Sequence, residues 1–162
     1  METIIRKMKK KDIGELQKVA RESWAAAYAG IIPDDIQQKF IDRAYSDDML
    51  KIRLKRTTIL VSEENKRIVG FANFSPVSES GIAELIAIYL LPEYHRKGIG
   101  TGLLEAGLEM LSPQELQLNV EKQNEAGFAF YRSKGFEVID EFDEDFDGHT
   151  LHTVKMSMKL EG

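Results

Sequence analysis

The sequence contains no cysteine, and this absence removes several kinds of chemistry at once. Without thiols the chain has no disulfide framework, no thiolate metal site and no cysteine nucleophile. No apolar run approaches the roughly 18 residues that a membrane-spanning helix needs. The N-terminal segment carries charges where a signal peptide has its apolar stretch. These absences predict a cytoplasmic protein that is not bound to a membrane.

An excess of positive charge is also absent. The formal net charge is -5 and the pI is near 5.3, which argues against electrostatic binding to nucleic acid or to an anionic membrane. The one dense basic cluster, within residues 6–11, is interpreted as a solvated strand end and loop. With 162 residues, 43% of them hydrophobic, the chain is predicted to form a single domain with its own core.

The hydrophobic pattern predicts strands with helices between them. A short strand near the N-terminus is followed by three helices, the first opening at Asp12 and the second near Pro33. The later predicted strands are 57–63, 67–75, 82–91, 114–120, 136–142 and 149–160. Helices follow the third and fourth of these, and the last two strands flank a predicted acidic loop. The fold class is therefore α+β, with a mixed sheet.

Three glycines, Gly98, Gly100 and Gly102, stand at the first turn of a predicted helix, in PEYHRKGIGTGLL. In a helix interior each glycine is about 1 kcal/mol worse than alanine. Because a helix N-terminus offers free N–H groups, small residues there predict a pyrophosphate site, with tight helix packing as the alternative. A dinucleotide fingerprint requires glycine where Leu103 stands, and the lysine of a P-loop is missing.

A second segment, NEAGFAFYRSKGFE, begins about 25 residues downstream, at Asn124. Together the two segments resemble the motifs of the GCN5-related N-acetyltransferase (GNAT) superfamily. The resemblance covers the chain by order of elements, and residues 84–136 carry the specific motifs. It implies a GNAT-like acyl-CoA N-acyltransferase fold, with a central, mostly antiparallel sheet splayed at the cofactor strand and flanking helices. It also implies one N-acetyltransferase domain over residues 1–162, with acetyl-CoA as cosubstrate.

The resemblance further implies which residues contact the coenzyme. The pyrophosphate would lie on the glycine turn, and the pantetheine arm would pair with the strand before it. The residues implied for the turn are His95, Arg96, Lys97, Gly98, Gly100 and Thr101, and those for the strand are Ile88, Tyr89 and Leu90. His95 departs from the family, which usually has Gln or Arg there. Asn124 matches a coenzyme-contacting residue, although asparagine is also a common helix N-cap.

Two residues are candidates for catalysis. Tyr131 matches the family tyrosine near the coenzyme sulfur and would protonate the leaving thiolate; the alternative is a core aromatic. Glu84 has the offset of the glutamate base in the histone-acetylating branch. Strict alternation would place Glu84 on an apolar face with Ile86 and Ile88, where desolvation would raise its pKa. The alternative for Glu84 is an acid at an open strand end.

The acceptor is indicated by weaker features. Six acids within residues 140–147 suggest a cationic amine, with an ordinary solvated loop as the alternative. Residues 23–35, including Trp24 and Tyr28, resemble the segment that covers the acceptor side in relatives, or are ordinary core. His149 and His152 should point to opposite faces of a strand, which argues against a shared metal.

The predicted function is direct transfer of acetyl from acetyl-CoA to a primary amine of a small molecule such as a polyamine, without a metal. Two alternatives stay open: a protein or peptide lysine or N-terminal acetyltransferase, and a non-catalytic CoA-binding sensor on the same fold. Dimerisation is common in such folds, so a homodimer is compatible with the resemblance, although no segment specifies an interface.

Overall fold

The computed structural model describes residues 3–160, whose seven strands form one sheet in the order β1-β2-β3-β4-β5-β7-β6. The strands are β1 (Ile4–Lys7), β2 (Thr58–Glu64), β3 (Arg67–Phe74), β4 (Ile82–Leu90), β5 (Glu115–Glu121), β6 (Glu137–Phe146) and β7 (His149–Lys159). Neighbouring strands are antiparallel except β4 and β5, which are parallel. The predicted mixed, mostly antiparallel sheet is confirmed.

Five α-helices flank this sheet. They are α1 (Ile13–Ala27), α2 (Asp34–Ala44), α3 (Asp47–Arg56), α4 (Ile99–Leu111) and α5 (Glu125–Ser133). Each begins where a local signal predicts: Pro33 precedes α2, and the Ser46 hydroxyl caps α3 by accepting a hydrogen bond from the Met49 amide at 3.2 Å. The periodic apolar positions of α1, including Leu16 and Trp24, are buried as its 3.6-residue pattern requires.

The sheet has two faces that differ in what covers them. Helix α1 packs on β3 and β4 from one side, called here the α1 face, and α4 packs on β2, β3 and β4 from the other, called the α4 face. Phe74 lies under Gly107 of α4, where even a Cβ would collide with its ring. Phe71 points the opposite way, toward the rings of Tyr45 and Tyr89. The two faces therefore bury different parts of one hydrophobic core.

The sheet opens between β4 and β5. These strands pair only over Ile82–Glu84 with Glu115–Gln117, after which β5 continues beside β7 alone. Among residues 3–160, the rest of β4 has strand β3 on one side and no strand partner on the side facing β5. The predicted splay is therefore present, and it leaves a free backbone edge along the second half of β4.

A β-bulge in β4 changes which side chains share a face. Asn73 of β3 pairs with Ala87, but the next residue, Phe74, pairs with Leu85, so Ile86 is left without a partner. A bulge of one residue reverses the alternation of a strand. Leu85 consequently lies with Phe74 on the α4 face, and Ala87 lies on the α1 face.

This bulge corrects the prediction for Glu84. Strict alternation would group Glu84 with Ile88 and Leu90, but those two residues point to the α4 face, whereas Glu84 shares the α1 face with Tyr89. The Glu84 side chain is also exposed. The predicted apolar, desolvating environment of Glu84 is therefore wrong.

The acidic segment near the C-terminus is a strand and not a loop. β6 continues through the acids to Phe146, and the connection to β7 is the two-residue turn Asp147-Gly148, both at positive φ. Pairing with β7 outweighs the low strand propensity of acidic residues, because β6 is an edge strand whose side chains reach water. The predicted acidic loop is wrong in this respect.

Candidate active site

The N-terminus of α4 lies just beyond the open edge of β4. Gly98 caps the helix in the left-handed region, with φ of 80°. The first hydrogen bond of the helix is donated by the Gly102 amide to the Gly98 carbonyl at 3.0 Å. The amides of Ile99, Gly100 and Thr101 therefore have no intrahelical acceptor. Within residues 3–160 these amides donate to no backbone carbonyl, and three such donors at the positive end of a 13-residue helix are suited to an anion.

The glycines of this turn have different reasons for lacking side chains. At Gly98 the surrounding space is open, and the positive φ is what favours glycine. A Cβ at Gly100 would lie 3.4 Å from the Phe130 ring, and a Cβ at Gly102 would lie 3.0 Å from Ile5. Gly102 therefore also lets α4 pack closely against Ile5, the packing alternative, whereas a Cβ at Gly100 would make only an ordinary contact with Phe130; the phosphate role of the glycines stays a prediction.

The basic residues before α4 are exposed around its N-terminus. The His95 Nε2 atom lies 3.3 Å from the Leu90 carbonyl oxygen, so the imidazole holds the turn against the end of β4 when this nitrogen carries the proton. Arg96 has φ of 63°, and the Lys97 ammonium lies 5.1 Å from the centre of the Tyr94 ring. The turn thus places two exposed cationic residues directly before the first residue of α4.

The Asn124 side chain caps α5 as predicted. Its Oδ1 atom accepts a hydrogen bond from the Gly127 amide at 3.0 Å. The amide also adjoins the Tyr28 hydroxyl: burial raises the pKa of Tyr28, and Asn124 partly offsets that increase. Asn124 therefore links the start of α5 to the end of α1.

Tyr131 lies near the end of α5, with the Phe130 and Phe136 rings 5.5 and 5.7 Å from its own. Burial raises the pKa of Tyr131 well above its usual value, and the nearby Tyr28 contributes a smaller increase. A phenol in this environment keeps its proton throughout the physiological range. Tyr131 can therefore donate a proton but cannot act as a base.

An aromatic cluster closes the α1 face beside the opening. The Trp24 ring stacks on Phe40 at 4.4 Å and lies 4.6 Å from Tyr28 and 6.1 Å from Phe146. Phe146 is the last residue of β6, so this contact joins the β6–β7 tip to α1 and α2. Trp24 and Tyr28 are both core residues, as one of the two alternatives holds, and their place on the acceptor side stays a prediction.

The Tyr89 side chain belongs to the same cluster, a role that the sequence did not indicate. Its ring is perpendicular to that of Trp24, with centres 6.4 Å apart. Burial raises the pKa of Tyr89 well above its usual value, and the Trp24 indole N–H partly offsets this. Among residues 3–160, however, the indole nitrogen completes no hydrogen bond of good geometry.

Carboxylates lie on the α1 face of β4 and of β5. Glu84 is exposed, and its backbone N–H donates to the Ser75 hydroxyl at 2.8 Å. Glu115 accepts hydrogen bonds from Gln117 and Ser157, at 2.7 and 2.6 Å, which lower the pKa of Glu115. Glu121, at the end of β5, is buried on this face. No sequence pattern indicated Glu121, because its partners come from a turn and from β7.

The described residues contain no arrangement typical of a metal centre or a membrane span. In the range 3–160 no three His, Asp or Glu side chains are grouped so as to hold a metal ion. His149 and His152 are three residues apart on β7 and therefore lie on opposite faces of the sheet. The His152 Nδ1 atom is 2.6 Å from an Asp143 oxygen. No helix over the same residues is long and apolar enough to cross a bilayer.

Taken together, the open edge of β4 and the free amides of α4 fit a long ligand that has an amide-bearing arm and a pyrophosphate. The arm can hydrogen-bond to the strand edge, as an added strand would. Coenzyme A has both parts. A splayed mixed sheet with these two elements and a protonated tyrosine at the opening defines an acyl-CoA transferase.

Comparison with known proteins identifies the family. The model of the Acetyltransferase (GNAT) family matches residues 16–136. Spermidine N(1)-acetyltransferase of Thermoplasma acidophilum is 34% identical over 151 residues, which cover 88% of this chain and 92% of that protein. The chain belongs to the GNAT family of acetyltransferases.

Solved structures agree with this membership. The PaiA N-acetyltransferase from Thermoplasma acidophilum, in complex with coenzyme A, superposes with a TM-score of 0.87 at 32% identity, covering 99% of this chain and 100% of that one. YncA from Salmonella typhimurium, solved with its cofactor acetyl-CoA, shares the fold with a TM-score of 0.69 at 21% identity, covering 100% and 96%. The protein is therefore an acetyl-CoA-dependent N-acetyltransferase.

Proposed function

We propose that this enzyme acetylates a primary amine of a polyamine or a similar small cationic amine. One observation carries the proposal: the β4–β5 opening separates an anion site at α4 from a carboxylate-bearing α1 face. Coenzyme phosphates suit the first surface and a cationic acceptor suits the second. The similarity to a spermidine N(1)-acetyltransferase supports this choice of acceptor.

The coenzyme is assigned to the turn and the strand. The amides of Gly100 and Thr101, with the Arg96 and Lys97 side chains, would bind the pyrophosphate. The backbone of β4 from Ile88 through Tyr89 to Leu90 would hydrogen-bond to the pantetheine arm. His95 would act mainly by holding the turn, through its contact with the Leu90 carbonyl. Asn124 would contact the arm while capping α5.

Acetyl-CoA supplies an activated acetyl thioester, and the protein must manage two protons. Glu84 is proposed to accept the proton of the acceptor ammonium, directly or through a water molecule. Its exposure to solvent means that a water molecule can stand between the Glu84 carboxylate and the amine, so a water relay suits it better than direct abstraction in a dry pocket. Tyr131 is proposed to donate its proton to the departing sulfur, because burial keeps this phenol protonated.

The other proposed properties follow from charge and fold. We infer a cytoplasmic enzyme with one N-acetyltransferase domain over residues 1–162, acting on small molecules without nucleic acid. The net charge of -5 supports a cationic substrate. A homodimer is compatible with this arrangement, since the coenzyme and acceptor surfaces described above both belong to one chain.

The test is release of coenzyme A from acetyl-CoA with panels of polyamines, monoamines, amino acids and lysine peptides, with coenzyme binding followed by calorimetry. Turnover with polyamines alone is the expected result. Turnover with lysine peptides instead would replace the proposal by a protein acetyltransferase. Tight coenzyme binding without any turnover would favour a sensor.

A further inference from the structure

Glu121 is a buried carboxylate for which the two proton transfers above have no use. Only 7% of the surface of this residue is exposed to solvent. One oxygen accepts from the Gln123 amide at 3.1 Å and the other from the His152 amide at 2.9 Å. These bonds use two of roughly four acceptor positions on a carboxylate. Spare positions therefore remain.

No cation of the described chain neutralises this carboxylate. Among residues 3–160, no Lys, Arg or His side-chain nitrogen lies within 4.0 Å of the Glu121 oxygens. The adjacent Lys122 is bound to Glu141 at 3.1 Å, and both of these residues are exposed. Lys155 lies on the same face of the sheet, but it pairs with Asn119, which is two residues before Glu121 in β5. Because a buried charge is costly without a counter-charge, Glu121 is suited to a cationic ligand.

The position of Glu121 relates it to the acceptor. It lies on the α1 face of β5, four residues beyond Gln117, which pairs with Glu84 at the narrow end of the opening. Four residues of strand span about 13 Å. The Asn124 amide donates to the Glu121 carbonyl at 2.9 Å, and the Asn124 side chain adjoins the Tyr28 hydroxyl, so the end of β5 lies near the aromatic cluster. Burial is the main cause of the raised pKa of Tyr28, and the Glu121 charge adds to it. The α1 face thus carries a carboxylate at each end of the opening.

We propose that Glu121 binds a second ammonium group of the acceptor, the one that is not acetylated. The reacting amine lies toward Glu84, and an alkyl chain crosses the aromatic cluster to reach Glu121. This inference rests on the proposed function and adds a selection rule to it: the enzyme prefers diamines and polyamines to monoamines. A neutral or monocationic acceptor leaves Glu121 unpaired and loses that advantage.

The experiment compares diaminooctane with octylamine, which differ only in the second amine. In the wild type, kcat/KM is expected to be at least about tenfold higher for the diamine, the ratio that a single additional charged contact provides. Glu121→Gln keeps a carbonyl oxygen for one backbone amide but removes the charge, and should abolish the preference. Glu141→Gln is the matched control: it also removes one carboxylate, but from the exposed pair with Lys122, and should retain the preference.

Each result decides a different point. An equal loss for both acceptors in Glu121→Gln, or a preference that survives, would overturn the inference. If the Glu121→Gln variant does not fold, the Asn119→Lys variant is measured instead. Its new lysine lies on the same face two residues from Glu121, so its ammonium should pair with the carboxylate and remove the preference for the diamine. If no amine is acetylated, the proposed function fails; calorimetric binding of diaminooctane and octylamine to wild type and Glu121→Gln then tests the inference by itself.

Discussion

Replacing Tyr131 by Phe isolates the proposed general acid. The change removes one hydroxyl from a side chain packed against the Phe130 and Phe136 rings, and phenylalanine keeps those contacts. Stability and coenzyme affinity should therefore change little. The rate of acetyl transfer should fall, because the departing sulfur would leave as a thiolate without a proton donor.

The size of the effect follows from the environment of the phenol. General acid catalysis contributes about 10²- to 10⁴-fold. Burial raises the pKa of Tyr131 far above the thiol value of about 8.5, so proton transfer is uphill and the benefit should lie near the lower limit. We expect kcat to fall roughly 100-fold, or about 2.7 kcal/mol in barrier height.

The assay is steady-state release of coenzyme A at saturating acceptor, with the KM for acetyl-CoA determined in parallel. Because the raised pKa keeps Tyr131 protonated, activity should not decline through its ionisation until the pH exceeds about 10. A Tyr131→Phe enzyme with the wild-type kcat would refute the role of the phenol. A large rise in the KM for acetyl-CoA with unchanged kcat would instead make Tyr131 a binding residue.

Three further predictions concern stability and the coenzyme turn. Asp12 is buried and bound to Arg6 at 2.8 Å, which lowers the pKa of Asp12; Asp12→Asn should cost about 3 kcal/mol at pH 7 in urea unfolding, and the difference should begin to shrink as the pH falls below about 4 and be lost only as it passes through the lowered pKa of the folded state. An equal loss at pH 7 and pH 3 would exclude the ion pair as its cause. Gly107→Ala should cost about 1–3 kcal/mol, because its Cβ would overlap the Phe74 ring, and an unchanged melting temperature would contradict this. Gly98→Ala should weaken coenzyme binding in calorimetry by about tenfold through strain at positive φ, whereas Gly14→Ala, in open space within α1, should bind normally.

Much of the fold could be predicted from local patterns. The helix starts at Pro33 and Asn124 were correct because caps act within three residues of the chain. The acidic loop predicted between the last two strands was wrong, because pairing with β7 extends strand β6 through the acidic residues to Phe146. Strand extension depends on a partner, and no local pattern records that partner.

The candidate site divides in the same way. The glycine turn and the motif around Asn124 and Tyr131 were visible in the sequence, because each lies within one contiguous segment and motif spacing is a local property. Where Glu84 points could not be predicted, since the bulge at Ile86 exists only in the register between β3 and β4. The sequence also did not indicate that Glu121 is buried or that the Tyr89 side chain belongs to the aromatic cluster.

The sequence by itself determined the order of helices and strands, since hydrophobic period and capping residues act over short stretches of chain. It also carried two contiguous motifs whose resemblance to the GNAT family implied the coenzyme. Only the tertiary structure decided which carboxylates share the α1 face. That outcome depends on one unpaired residue in β4, on the parting of β4 from β5, and on backbone amides from a turn and from β7 that hold Glu121. Strand register and burial arise from contacts between distant segments, and these contacts fix where a charge is left without a partner.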